Sequence, residues 1–223
     1  SYRDWLKEKS PLFPEDHPAN YVMMYLASMS DPGLVILPAH RLLMGGHGMN
    51  TNNFINRAKE YFNIHSISFN DDDRIKIHAE FMNEIKAHFE NHSIGVLIRG
   101  VQEGYILTAK PDIMEKLYSH ELPQALRNLD VTILTRLIFM ELMKIGQDQL
   151  DDEKLITYVS SDKEAVNAVT FGNCEMAFIL NPTSIEQVKA VAESGLIMPR
   201  KATYFFPKVI AGIVFNSLTY ESR

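Results

Sequence analysis

The residues best suited to chemistry crowd into the last quarter of the chain. Lys201, Thr203 and Lys208 sit within Met198-Pro-Arg-Lys-Ala-Thr-Tyr-Phe-Phe-Pro-Lys, a stretch bracketed by prolines and rich in aromatics. Loops that only connect rarely concentrate rigid prolines, cations and rings in this way. Two mobile ammonium groups and a hydroxyl suit a phosphate or a carboxylate. Alternation along an extended chain puts 201 and 203 on one face, with 208 on the other unless Pro207 shifts the register. The plainer reading is an edge strand guarded by Pro and Lys.

Three further places offer matching groups. Thr183-Ser-Ile-Glu and Ser184-Ile-Glu-Gln both fit a capping box, which marks a helix start through Thr183 or Ser184. A helix N-terminus also offers N–H groups and partial positive charge to an anion, provided Lys201, Thr203 or Lys208 folds back near it. His40-Arg41 follow Pro38; Arg41 would supply a two-pronged guanidinium and His40 a titratable ring. The alternative there is a strand end whose arginine pairs with an acid. Asp130 lies among apolar residues, where it caps a helix running from Val131 or pairs with a lysine or Arg41. The candidate ligand-binding set is therefore Arg41, Thr183, Ser184, Lys201, Thr203 and Lys208, with His40 and Asp130 as acid–base candidates.

Other chemistries lack their residues. No HExxH occurs; His88 and His92 stand four apart, but at a helix end, with His92 beyond the last turn. Asp71-Asp-Asp-Arg lacks the Gly and distal Glu of a calcium loop and suits a helix start. Gly45-Gly-His-Gly is neither a phosphate loop nor a dinucleotide fingerprint, and no Gly-x-Ser-x-Gly elbow appears. No structural metal is expected, and no cofactor is specified. A net charge of −6 argues against binding the nucleic-acid backbone. The lone Cys174 allows no internal disulfide, reads as a packed thiol, and points to a reducing, cytoplasmic setting. The greasiest run, 129–143, is broken by Asp130, Arg136 and Glu141, so no membrane span is expected.

These groups must be positioned by elements read from periodicity and turn signals. The runs 20–29 and 34–43, parted by Ser30-Asp-Pro-Gly, predict adjacent antiparallel strands, the Met-rich first run having a helical alternative. A flexible turn at 44–49 leads to a helix over 52–62 and a strand over 64–69. The stripe Ile75, Ala79, Met82, Ile85 and Phe89 predicts a single helix over 71–90. A hairpin over 94–109, a short helix at 111–118 and a helical region 121–144 follow. Strands at 155–159, 175–180 and 203–216 alternate with helices at 162–171 and 184–194, a pattern open to a parallel element. The expected fold is α+β, a mixed and largely antiparallel sheet flanked by helices. Residues 1–18 read as a linker or helix remnant, 19–118 as one subdomain and 119–223 as a second packed on it.

Several of these segments resemble one family, the domain of unknown function 1015. The resemblance rests on Asn20-Tyr-Val-Met-Met-Tyr-Leu and Val35-Ile-Leu-Pro-Ala-His-Arg-Leu, which resemble the family's paired strands, and on Leu129-Asp-Val-Thr-Ile-Leu, Asn181-Pro-Thr-Ser-Ile-Glu-Gln-Val and Met198-Pro-Arg-Lys-Ala-Thr-Tyr-Phe-Phe-Pro-Lys, in order along nearly the whole chain. Arg200 and Ala202 stand where the family usually has Pro and Ser, which weakens any mechanism needing a Ser-Thr pair. The resemblance implies a C-terminal half whose own N-terminal half is a partner, and a tie to serine metabolism. It implies either part of an enzyme acting on a small phosphorylated or carboxylated metabolite, or a noncatalytic metabolite-sensing or protein-interaction domain.

Overall fold

A computed structural model of the chain describes residues 1–10, 12–45, 50–68, 74–210 and 212–218. The chain divides into two units, 1–35 with 207–223, and 36–206. The first unit holds α1 (Tyr2–Lys9), which opens on a capping box between Ser1 and Asp4. It also holds a 3-10 turn at Pro18–Asn20, whose Pro18 carbonyl accepts from the Asn216 amide at 3.2 Å. Residues 21–29 form no strand and are exposed, contrary to the expected hairpin partner for 34–43. An apolar run becomes a strand only where another strand takes its backbone groups.

The second unit is built on a sheet. Its strands are β2 (His40–Leu43), β3 (Phe62–Ser68), β4 (Ser93–Ile98), β5 (Glu103–Ala109), β6 (Ile156–Val159) and β7 (Met176–Ile179), in the order β3-β5-β4-β7-β2-β6. Every hydrogen-bonded neighbour pair in that sheet is antiparallel. The β4–β5 hairpin turns over Gly100, whose φ of 73° suits a residue without Cβ. The crossover β6–α8–β7, with α8 at Asp162–Thr170, brings two strands of like direction down either side of β2. No parallel ladder forms, because β2 occupies the place between them. The sheet draws strands from both sides of residues 118–123. A separate two-stranded ribbon joins β1 (Val35–Leu37) to β8 (Tyr204–Phe206), the only strand described within 203–216.

Strand alternation assigns side chains to two cores. Ile94, Val96, Ile98, Met176, Phe178 and Leu43 face one side. Covering them are α2 (Thr51–Ala58), α4 (Ile113–Tyr118), α5 (Gln124–Arg127), α6 (Asp130–Ile133), α7 (Gln147–Leu150) and α9 (Ile185–Glu193). Leu97, Ala177, Ile179 and Leu42 face the other side, against α3 (Arg74–Ala87) and α8. The buried face of α3 is Phe81 and Ile85, whereas Ala79 of the expected stripe is exposed. Gly95 and Gly104 make room for it: a Cβ on Gly95 would meet Ile85 Cδ1 at 2.4 Å, and one on Gly104 would meet Phe81 at 2.8 Å. Asp71–Asp73 and the turn at 46–49 lie outside the described residues.

The helical region 121–144 is interrupted. After α6 the chain runs as a π-helix over Leu134–Leu142 and ends at Lys144, whose φ is 58°. A π-helix of this length is rare, and such widened turns concentrate at functional sites. Its last carbonyls are satisfied by Arg57 of α2, which donates to Leu142 O at 2.6 Å and Glu141 O at 2.9 Å.

Candidate functional site

Arg41 is the residue around which a cavity is built. It shares the parity of Leu43 on β2, so its side chain enters the core under the π-helix. The register sets it opposite Tyr158 on β6, and the guanidinium lies 4.7 Å from that ring's centre. The guanidinium donates to Ala39 O and, at 2.9 Å, to Lys201 O. It is 5% exposed, and burial lowers its pKa to about 10, which leaves it charged at neutral pH. Among the described residues no carboxylate pairs with it. A buried charge without a counter-ion costs several kcal/mol, on the order of what an entering anion would return.

The cavity beside Arg41 measures about 270 Å³ and is lined also by Thr132, Arg136, Gln147, Tyr158 and Arg200, with Leu126, Phe139 and Leu150 as its apolar wall. Thr132, in α6, is 7% exposed and its hydroxyl has no hydrogen-bond partner among the described residues. Buried hydroxyls are ordinarily paired, so an orphan on a cavity wall suits a ligand oxygen. Its neighbour Thr135 is spent, donating to Val131 O at 2.7 Å. Two more guanidinium groups stand on the lining. Arg136 pairs with Glu121 at 2.7 Å and Arg200 with Asp151 at 2.6 Å. Both pairs are partly open to solvent and therefore worth little, so either arginine can exchange its partner for a ligand.

The sequence candidates fall out unevenly. Lys201 does meet Arg41, through its backbone carbonyl, and its ammonium lies 5.6 Å from the same Tyr158 ring. It sits in a turn with φ 55°, not on an extended strand. Thr183 is tied to the same turn, its hydroxyl donating to Ala202 O at 2.9 Å. That bond uses the hydroxyl locally. Ser184, not Thr183, caps α9: its Oγ accepts from Gln187 N–H at 3.1 Å, and Gln187 Oε1 accepts from Ser184 N–H at 2.9 Å. Thr203 is half-buried just before β8. Lys208 is exposed and belongs to the unit 1–35 with 207–223.

His40 and Asp130 do not line this cavity. His40 has the parity of Leu42 and points into the opposite core; its Nδ1 accepts from Leu180 N–H at 3.1 Å. Asp130 neither caps a helix nor pairs with a lysine or Arg41. It is the first residue of α6, and its carboxylate accepts from His92 Nδ1 at 2.8 Å. Cys174 is fully buried, its thiol donates to Met176 O, and burial pushes its pKa up to about 11. The residues that sequence reasoning missed are Thr132, Arg136, Tyr158 and Arg200. Arg136 carried a usable signal, as a cation inside an apolar helical run. Among the described residues no three of His, Cys, Asp or Glu gather as for a metal ion, and no helix is long and apolar enough to cross a membrane.

The family described as "Protein of unknown function (DUF1015)" matches residues 1–132, and the chain belongs to it. The signatures at 181–208 lie beyond the matched residues. A comparison with curated proteins found no match. Among solved structures, a conserved hypothetical protein from Pyrococcus furiosus aligns with a TM-score of 0.43 and 14% identity over 81% of this chain and 60% of its own. A free serine kinase in complex with AMP aligns with a TM-score of 0.42 and 12% identity over 81% and 57%. A mutant of a free serine kinase, also in complex with AMP, aligns with a TM-score of 0.44 and 11% identity over the same shares. The chain spans about three-fifths of the length of these structures.

Proposed function

We propose that residues 36–206 bind the anionic group of a small phosphorylated or carboxylated metabolite in the Arg41 cavity, as part of an enzyme acting on that metabolite. One observation carries the reading: a buried guanidinium held by two carbonyls and a ring, with no carboxylate paired to it among the described residues, the cavity's Asp151 being paired with Arg200. The orphan Thr132 hydroxyl and the exchangeable Arg136 and Arg200 supply further donors for the same group. Gln147 and the apolar wall would meet the remainder of the ligand. The tie to serine metabolism that the family resemblance implies makes O-phosphoserine the first ligand to try.

The noncatalytic reading has one observation in its favour. Neither acid–base candidate reaches the cavity, so an anion could bind there and alter partner association without reacting. Turnover of the bound metabolite, set against binding alone, separates the two.

Calorimetry with O-phosphoserine, inorganic phosphate and serine tests the binding. The two phosphate-bearing ligands are expected to bind, and serine, with its carboxylate alone, to bind more weakly. Thr132→Val removes a hydroxyl that has no partner among the described residues, so it should cost less than about 1 kcal/mol of stability. The same variant should weaken phosphate binding several-fold. Failure of both phosphate-bearing ligands to bind would reject the anion assignment.

A further inference from the structure

We propose that His92 is the base of a second ligand site, one that takes an uncharged, hydroxyl-bearing small molecule. The site is a cleft of about 670 Å³ that shares no lining residue with the Arg41 cavity. With the Asp130 carboxylate as acceptor, Nδ1 is the donor, and in the neutral ring Nε2 is left as the acceptor. Asp130 has a side chain only 11% exposed, while the imidazole is 30% exposed on the cleft wall. This is the geometry of a carboxylate-oriented imidazole base. The backbone supports it at a cost: His92 has φ 54° and ψ 60°, left-handed for a residue with a Cβ.

The cleft's charges indicate what it would hold. Lys110 spends its ammonium on Lys59 O at 2.6 Å and Glu60 O at 3.2 Å. Arg127 donates to the Glu115 carboxylate and to Leu122 O, and His88 lies 3.5 Å from Glu84. The cations Lys110 and Arg127 are matched on the described lining by Asp112 and Glu115, so it carries no net positive charge to draw an anion. What it offers are Asn63 and Thr108, directly opposed on β3 and β5, together with Asn91. Amides and a hydroxyl give and accept single hydrogen bonds, which suits hydroxyl groups. In the step inferred, the O–H bond of the bound hydroxyl, or of a water, breaks. Nε2 takes the proton, the electron pair stays on oxygen, and Asp130 faces the imidazolium. Asp130 is thus a positioning residue.

Hydrolysis of p-nitrophenyl acetate by the intact chain provides the test. His92 would deprotonate water as its oxygen adds to the acetyl carbon, and p-nitrophenolate would leave with the bonding pair. Saturable hydrolysis is expected, with p-nitrophenyl phosphate untouched. His92→Asn, which tolerates the left-handed backbone, should abolish it. Asp130→Asn should lower the rate at least about tenfold and move the imidazole off the Nδ1–H tautomer in its nitrogen NMR spectrum. His65→Gln, at an exposed histidine of β3, should change nothing. Unaltered hydrolysis in His92→Asn, or an unaltered rate and tautomer in Asp130→Asn, would overturn the proposal.

Discussion

On β2 one peptide bond separates two residues with opposite surroundings. Arg41 enters the core that holds the cavity, and His40 enters the core beneath α8. His40 is fully buried, its Nε2–H lacks an acceptor among the described residues, and burial lowers its pKa from 6.5 to about 4. Asp162 pulls that pKa up and Arg41 pushes it down. The unfolded chain takes up this proton near its ordinary pKa and the folded chain does so only lower. Below about pH 6.5 the unfolded state therefore binds more protons, and stability falls until about pH 4, by roughly 3 kcal/mol. Asp130 acts the other way, because burial raises its carboxyl pKa and favours the protonated folded form on acidification. His40→Asn keeps an acceptor for Leu180 N–H and removes the titration. Urea unfolding across this range should show a flatter acid limb in the variant; an identical limb would place the proton uptake elsewhere. The Asp130–His92 bond was beyond sequence reading, since 38 residues separate the partners and neither type demands the other.

Elements were legible where the chain carries its own punctuation. The β4–β5 hairpin follows from two apolar runs around Gly100, and α9 from its capping box. Reading failed where an element depends on what it packs against. Residues 21–29 have a strand's composition and no strand's partner. The helix α3 buries Phe81 because Gly95 and Gly104 leave a hollow for its ring, a fact about the sheet and not about the helix's own period. Gly95→Ala should therefore cost about 1–3 kcal/mol by overpacking against Ile85 and Phe81. Chemical denaturation measures this directly, and a neutral result would mean that α3 can move away from the sheet. The π-helix was legible only as a buried helical run with one arginine in it. Its wide turns depend on hydrogen bonds that composition does not announce.

At the scale of the molecule, the sheet order β3-β5-β4-β7-β2-β6 interleaves early and late strands. It lays β2 between the two ends of a βαβ crossover, and so sets Arg41 opposite Tyr158, far along the chain. The Lys201 turn then closes over both. The sequence named Arg41 and Lys201 as anion ligands, but the cavity's other groups come from α6, the π-helix and β6, which only the assembled fold brings to one place. The central claim is that the Arg41 charge is there for an anion. Calorimetric titration of O-phosphoserine into the parent chain and into Arg41→Gln and Arg41→Lys tests it most directly. Arg41→Gln is expected to lose at least about tenfold in affinity, the worth of one charge-assisted hydrogen bond. Arg41→Lys should fall between, keeping the charge without the fork. Equal affinity in all three proteins would contradict it.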